Sequence, residues 1–253
     1  VLDYLGMTEI ELRDSYDAVF HLVTAANGAL PFYTTANNTA RTETPEEAIE
    51  LDEKTLAAWA GHPHLRIIDN STDFNGKLVR LLREVMTALG KPAPFEHARR
   101  FLIDQPDRMW LETHPACRRV EIIQTYLTDV QGEKRRICMR GSDGSYIYYM
   151  TTHCTGTDGS RIETEKRLSL DDYQQLMMEA DPACRPIRKT RYCLVDDGHA
   201  YEVDFYPNWK DRAMLQVEMN DPNAEVHIPD RFKVQREVTD DPAYQNFALA
   251  QIR

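Results

Sequence analysis

Two patterns of apolar and polar positions divide this chain. Up to about residue 92, strand-like and helix-like runs alternate. Tyr16–Leu22 (YDAVFHL) and His64–Asn70 (HLRIIDN) read as short strands. Pro45–Ala60 reads as a helix with acidic residues in its first turn. Asp73–Leu89 reads as an amphipathic helix closed by Gly90 and Pro92. Strand, helix, strand, helix predicts a parallel α/β layer. Two strands are too few for a stable parallel sheet, so residues 1–92 read as part of an α/β domain.

Lys91-Pro92-Ala93-Pro94 marks a boundary, and the period then changes. Strands are expected at 95–103, 119–127, 134–140, 145–153, 161–168, 187–195, 199–206 and 213–219, with one helix near Leu170–Ala180. Gly141–Gly144, Gly156–Gly159 and Asp196–Gly198 supply turns. The fold class expected is therefore α+β. The partial α/β layer of residues 1–92 is followed by an antiparallel β-barrel with flanking helices over residues 93–253.

Composition narrows the partners. The 253 residues carry a net charge of -11, which excludes a duplex nucleic-acid binder with a broad basic face. A local basic pocket stays compatible with that balance. No apolar run approaches a membrane span, so an integral membrane protein is not expected. The five cysteines are odd in number and form no C-x-x-C pair, which fits a reducing cytoplasm.

Residues i and i+2 of a strand share a face. By that rule Arg136 groups with Arg140, Lys189 with Arg191, Glu163 with Glu165, Glu202 with Asp204, and Gln216 with Glu218. Such faces often point at water. Here the signs are sorted, with cation pairs on some strands and carboxylate pairs on others. If the faces turn inward, the cations suit phosphate oxygens and the carboxylates suit Mg²⁺ or Mn²⁺.

The order of motifs resembles the CYTH superfamily of triphosphate tunnel metalloenzymes over roughly residues 95–250. The matching segments are Glu96-His97-Ala98-Arg99-Arg100-Phe101-Leu102, Ile122-Ile123-Gln124-Thr125-Tyr126-Leu127, and Arg161 with Glu163 and Glu165. Lys189-Thr190-Arg191-Tyr192, Glu202-Val203-Asp204, and the run from Glu237 to Asn246 follow. The resemblance implies phosphate binding by Arg100, Arg136, Arg140, Lys189 and Arg191. It implies metal ligation by Glu96, Glu163, Glu165, Glu202, Asp204 and Glu218, with Glu163, Glu165 and Lys189 catalytic. Departures fall at Ala98, Cys138, His153 and Gln216, where the family carries charged residues. They leave the cations largely in place and thin the acids. Weak or lost hydrolysis is expected, with an active tripolyphosphatase or nucleoside triphosphatase as the alternative.

Residues 16–70 resemble the P-loop NTPase portion of proteins related to the TRPL translocation defect protein, in segments such as Tyr16–Leu22, Gly61-His62-Pro63-His64 and Ile68-Asp69-Asn70. No G-x-x-x-x-G-K-[ST] occurs, so the phosphate-cradling loop is expected upstream of Val1. The likeness implies nucleotide contacts at Asn38, Arg41, Asp69 and Asn70. Arg41 reads equally as a phosphate clamp or a solvated loop cation, and Asp69 and Asn70 equally as ligands or a helix cap. The partners implied are ATP, GTP or inorganic tripolyphosphate, with phosphoinositide headgroups as an option.

Overall fold

The computed structural model describes residues 2–36, 40–89, 98–130, 133–155, 161–219 and 225–251. Glu96, Asn38 and the Lys91–Pro94 boundary lie outside them.

The N-terminal layer is small. Strands β1 (Val19–Leu22) and β2 (Leu65–Ile68) pair in parallel, with Val19 opposite Leu65. The helix at Pro45–Ala58 connects them, started by a Thr44/Glu47 capping box with Pro45 in its first turn. The next helix, Phe74–Ala88, begins on the Asp73 cap. Its orientation departs from the usual arrangement. Lys77, Arg80 and Glu84 are its buried residues, while Phe74, Leu78, Leu82 and Met86 are exposed. The buried polar groups are paired: Lys77 donates to Val23 O and Asn70 Oδ1, Arg80 to Asp69, and Glu84 meets Arg66. Pairing of this kind is what makes a buried polar face tolerable.

The rest is built on one antiparallel sheet, with short helices at Arg108–Thr113, Leu170–Leu176 and Asn246–Ala250. Its strands are β3 (Ala98–Asp104), β4 (Cys117–Tyr126), β5 (Lys134–Ser142), β6 (Ser145–Thr155), β7 (Arg161–Leu168), β8 (Ile187–Asp196), β9 (His199–Phe205), β10 (Arg212–Glu218) and β11 (Val234–Glu237). They lie in the order β11-β3-β10-β9-β8-β4-β5-β6-β7. Two hairpins turn on Asp-Gly pairs with positive φ, Asp143-Gly144 and Asp197-Gly198.

The closed barrel expected from the sequence is not formed. Among the described residues no ladder joins β7 to β11. The edges explain this. β11 has four exposed residues and a register break between Val234 and Arg236. β7 reads RIETEKRL, and charge along an edge strand opposes further pairing.

The two faces of the sheet differ sharply. One carries Phe101, Ile103, Tyr192, Leu194, Tyr201, Val203, Leu215 and Val217, which form the main core with Leu111 and Phe232. The opposite face carries the charged residues.

Candidate functional site

Register places the sorted charges on one face. Directly opposed residues of an antiparallel ladder share a face. Arg100 is opposite Gln216, Gln216 opposite Glu202, and Asp204 opposite Arg191. Lys189 is opposite Ile122, Ile122 opposite Arg140, Arg136 opposite Thr151, and Thr151 opposite Glu165. One chain of neighbours thus runs from β3 to β7.

The centre of this face is a buried ion cluster. Lys189 Nζ donates to Asp204 Oδ2 at 2.6 Å. Arg191 donates to Asp204 through Nε and Nη2, at 2.6 and 2.7 Å, and its Nη1 meets Glu202. Burial works against the charge of Arg191, but Asp204 and Glu202 overcome it and raise its pKa further. In turn Arg191 and Lys189 overcome burial at Asp204 and hold its carboxyl well below the usual range. Burial and the neighbouring Arg191 push the Lys189 ammonium down. Such a cluster is costly to desolvate and tolerable only because each group is hydrogen-bonded.

Toward β3 the cluster continues through an amide. Gln216 Nε2 donates to Glu202 Oε2 at 2.8 Å and to Glu218 Oε1 at 3.1 Å. Arg100 Nε donates to Gln216 Oε1 at 3.4 Å. Toward β7, Arg136 meets Glu163 at 3.2 Å and His153 meets Glu163 at 3.4 Å. Gln124 Oε1 and Arg136 Nε are buried without a hydrogen-bond partner among the described residues.

The N-terminal layer reaches into the same face. His64 Nε2 lies 2.8 Å from Glu165 Oε1, and Arg66 Nη1 lies 3.9 Å from Glu218 Oε2. Burial opposes the Glu165 charge, but the His64 bond and the cations Arg140 and Arg136 hold its pKa below the ordinary value. Arg140 Nη2 donates to Gly61 O at 2.7 Å, and its Nε lies 4.0 Å from Asp14 Oδ2. These contacts fix the shape of the sheet. His64 and Arg66 are two residues apart, about 7 Å of extended backbone, yet they touch β7 and β10. In a flat sheet those strands, six positions apart in the order, would be separated by about 29 Å. The sheet therefore curls until β7 and β10 approach, and residues 61–66 lie across the gap between them. The charged face is concave.

Of the residues expected to face a lumen, Lys189, Arg191, Glu202, Asp204 and Glu218 point inward and are buried or nearly so. Glu163 and Glu165, on the edge strand, are more open. The expected metal set does not converge: among the described residues no three His, Cys, Asp or Glu side chains meet to hold an ion. The cause is pairing, since each described acid of the set already has a cation or amide partner. In the N-terminal layer, Asn70 ties down Thr24 O and Asn27 O, and Asp69 binds Ser71 and Arg80. Arg41 lies over the Tyr33 ring and donates to Thr34 O. Sequence reasoning left Arg66 unassigned. The i, i+2 rule, applied to His64 and Arg66, is the signal that finds it.

No helix among the described residues is long and apolar enough to cross a membrane. Comparison with family models and with curated proteins gives no match. Solved structures show partial likeness. The inorganic triphosphatase NE1496 is 25% identical, with 64% of this chain and 99% of that chain covered at a TM-score of 0.45. The PH1819 protein of Pyrococcus horikoshii is 16% identical over 49% of this chain and 80% of its own, at a TM-score of 0.33. An adenylyl cyclase candidate from Hippeastrum, HpAC1, described as having a dominant triphosphatase activity, is 9% identical over 49% of this chain and 80% of its own, also at 0.33.

Proposed function

We propose that the concave face binds a triphosphate, either inorganic tripolyphosphate or the phosphate chain of ATP or GTP, and hydrolyses it slowly. The observation that carries this reading is the run of Arg100, Lys189, Arg191, Arg140 and Arg136 along one concave face. Guanidinium groups match phosphate oxygens in geometry and charge. The carboxylates now paired with them keep the cations charged and aimed until a phosphate displaces them.

A divalent ion, Mg²⁺ or Mn²⁺, fits this face at one place. Glu202 and Glu218 both lie within hydrogen-bond reach of one nitrogen, Gln216 Nε2. A small cation displacing that amide would have two carboxylate ligands, and magnesium commonly uses one or two, completed by water and phosphate. Bound there, it would neutralise charge on the phosphate chain. Slow hydrolysis follows from the acids. Glu163, Glu165, Glu202, Asp204 and Glu218 each have a basic or amide partner, so none stands ready to orient an attacking water.

Calorimetry with tripolyphosphate and MgCl2 tests the reading. The wild-type chain is expected to bind, and Arg100→Ala with Arg136→Ala to weaken binding by about tenfold or more. Absence of binding heat overturns the proposal. Rapid phosphate release by the unmodified chain shows instead that the departures at Ala98 and Gln216 are not essential.

A further inference from the structure

The contacts of residues 61–66 with the charged face go beyond packing. Resting on the triphosphate reading above, we infer that His64 and Arg66 are ligand-contacting residues of that site, supplied by the N-terminal layer, and that they select for the length of the phosphate chain.

Three observations support the inference. First, both side chains already face carboxylates of the concave face, His64 within hydrogen-bond distance of Glu165 and Arg66 within ion-pair distance of Glu218. A donor held by a carboxylate at a binding site can exchange that partner for a phosphate oxygen, which also accepts hydrogen bonds. Second, the two reach strands that the curl brings near each other, His64 to the edge strand β7 and Arg66 to β10, so together they bridge the gap between those strands. A small cavity of about 30 Å³ lies beneath, lined by Pro63, Arg66, Cys193, Glu202 and Glu218. That is room for about a water molecule or two, not a further phosphate. Third, beyond this cavity the charged face ends. Leu65 and Ile67 pack there with Leu56, Ala60 and Val195, and Ala116 and Ala200 flank the cluster. A phosphate chain advancing along the face meets apolar packing and must stop where His64 and Arg66 stand.

The arrangement is an end-stop with charge. A chain long enough to run from the Lys189–Arg191 pair to these residues gains both extra donors, His64 and Arg66. A shorter chain bound at the centre does not reach them, and a longer one has nowhere to go. Arg66 is held in place by a second partner, Glu84, at 3.3 Å, and the buried Glu84 anchors it to the helix at Phe74–Ala88. The N-terminal layer thereby contributes to recognition.

The experiment compares ligands of different length on the full chain. Calorimetry measures inorganic pyrophosphate and tripolyphosphate, each with MgCl2, against wild type, His64→Gln, and Arg66→Gln combined with Glu84→Gln. The second change in the double variant removes the charge of the buried carboxylate that pairs with Arg66. The wild type is expected to prefer tripolyphosphate. Each variant is expected to lose about tenfold in tripolyphosphate affinity and little in pyrophosphate affinity, so that the preference collapses. A structural role alone would weaken both ligands equally. Equal loss for both, or no loss for either, overturns the inference while leaving the triphosphate reading intact. No binding of either ligand by the wild type overturns the reading itself, and the inference with it. If the double variant fails to fold, His64→Gln decides, because His64 is partly exposed and Glu165 keeps the nearby cations Arg140 and Arg136 when it is replaced.

Discussion

Lys189 is locked to Asp204, Nζ to Oδ2 at 2.6 Å, and that carboxylate also takes two bonds from Arg191. All three groups are buried or nearly so, and the relationship is asymmetric. Without Lys189, Asp204 keeps Arg191. Without Asp204, two cations face each other with only Glu202 beside them.

Asp204→Ala is therefore expected to be the more damaging change. Breaking a buried pair by removing one partner costs about 3–5 kcal/mol, and Asp204→Ala belongs at the upper end. Lys189→Met, which leaves one bidentate pair intact, belongs at or below the lower end. Urea unfolding of the two variants checks the order. Equal losses would show that Arg191 and Lys189 do not share Asp204 as described.

The positions of most strands along the chain were legible in the sequence, and the reason is visible in particular residues. Alternation in stretches such as Lys189–Cys193 and Glu202–Phe205, with Asp-Gly at 143–144 and 197–198, locates strands and hairpins directly. Strand β11 escaped because Val234–Glu237 is short and exposed throughout, so no apolar alternation marks it. Closure was not legible either. Whether β7 meets β11 depends on the curl of seven intervening strands, and no local pattern encodes that. The same limit applies to function. His64 and Glu165 are 101 positions apart, and only the fold brings them to 2.8 Å. The helix at Phe74–Ala88 shows a further limit. Its period is plain, but periodicity does not say that the polar stripe turns inward to meet Arg66, Asp69 and Asn70.

Acid sensitivity is expected in two separate windows. His62 is buried. Its Nε2 lies 3.0 Å from Tyr16 O, an acceptor, so that nitrogen carries the proton, and Nδ1 accepts from His64 N at 3.0 Å. The neutral ring thus satisfies both partners, and burial pushes its pKa from 6.5 down to about 4. The unfolded chain takes up a proton near pH 6.5 that the folded chain refuses until about pH 4, so stability falls as pH falls through that interval. The full effect is about 3 kcal/mol. Asp204 acts lower. Its folded pKa is depressed, so its contribution is complete above the ordinary carboxylate range and lost only below it. Unfolding free energies at pH 7, 5.5 and 4.5 should show the first slope, and His62→Gln should flatten it. An unchanged slope in that variant would assign the loss to other groups.

Gly141 gives a test of the sheet's geometry. A Cβ built there would lie 2.0 Å from Ser145 O, a backbone atom that cannot swing away. Gly141→Ala is expected to force the β5–β6 hairpin apart beside Arg140 and to cost about 1–3 kcal/mol. Thermal unfolding reads the loss. A variant as stable as wild type would mean that the hairpin opens more freely than its packing suggests.

Gln216 offers the sharpest test of the metal reading, because one amide nitrogen stands where two carboxylates converge. Gln216 Nε2 binds Glu202 Oε2 and Glu218 Oε1, and its partial positive charge offsets their repulsion. Replacing it by glutamate brings three carboxylates together and removes the donor between them. Without a divalent ion, Gln216→Glu is expected to lower the melting temperature, since like charges at a partly buried site disfavour ionisation or folding. With Mg²⁺ or Mn²⁺ present, the third carboxylate becomes a ligand, and binding to the folded form alone raises stability by mass action. The variant's melting temperature should therefore rise steeply with metal concentration while the wild type's rises little. Phosphate release from tripolyphosphate should increase in parallel, because an ion held by three acids is better fixed relative to the attacking water. Gln216→Leu is the control. It removes the bridge without adding a ligand, so it should be destabilised with or without metal. A glutamate variant that behaves like the leucine variant in both conditions would show that Glu202 and Glu218 do not form a cation site.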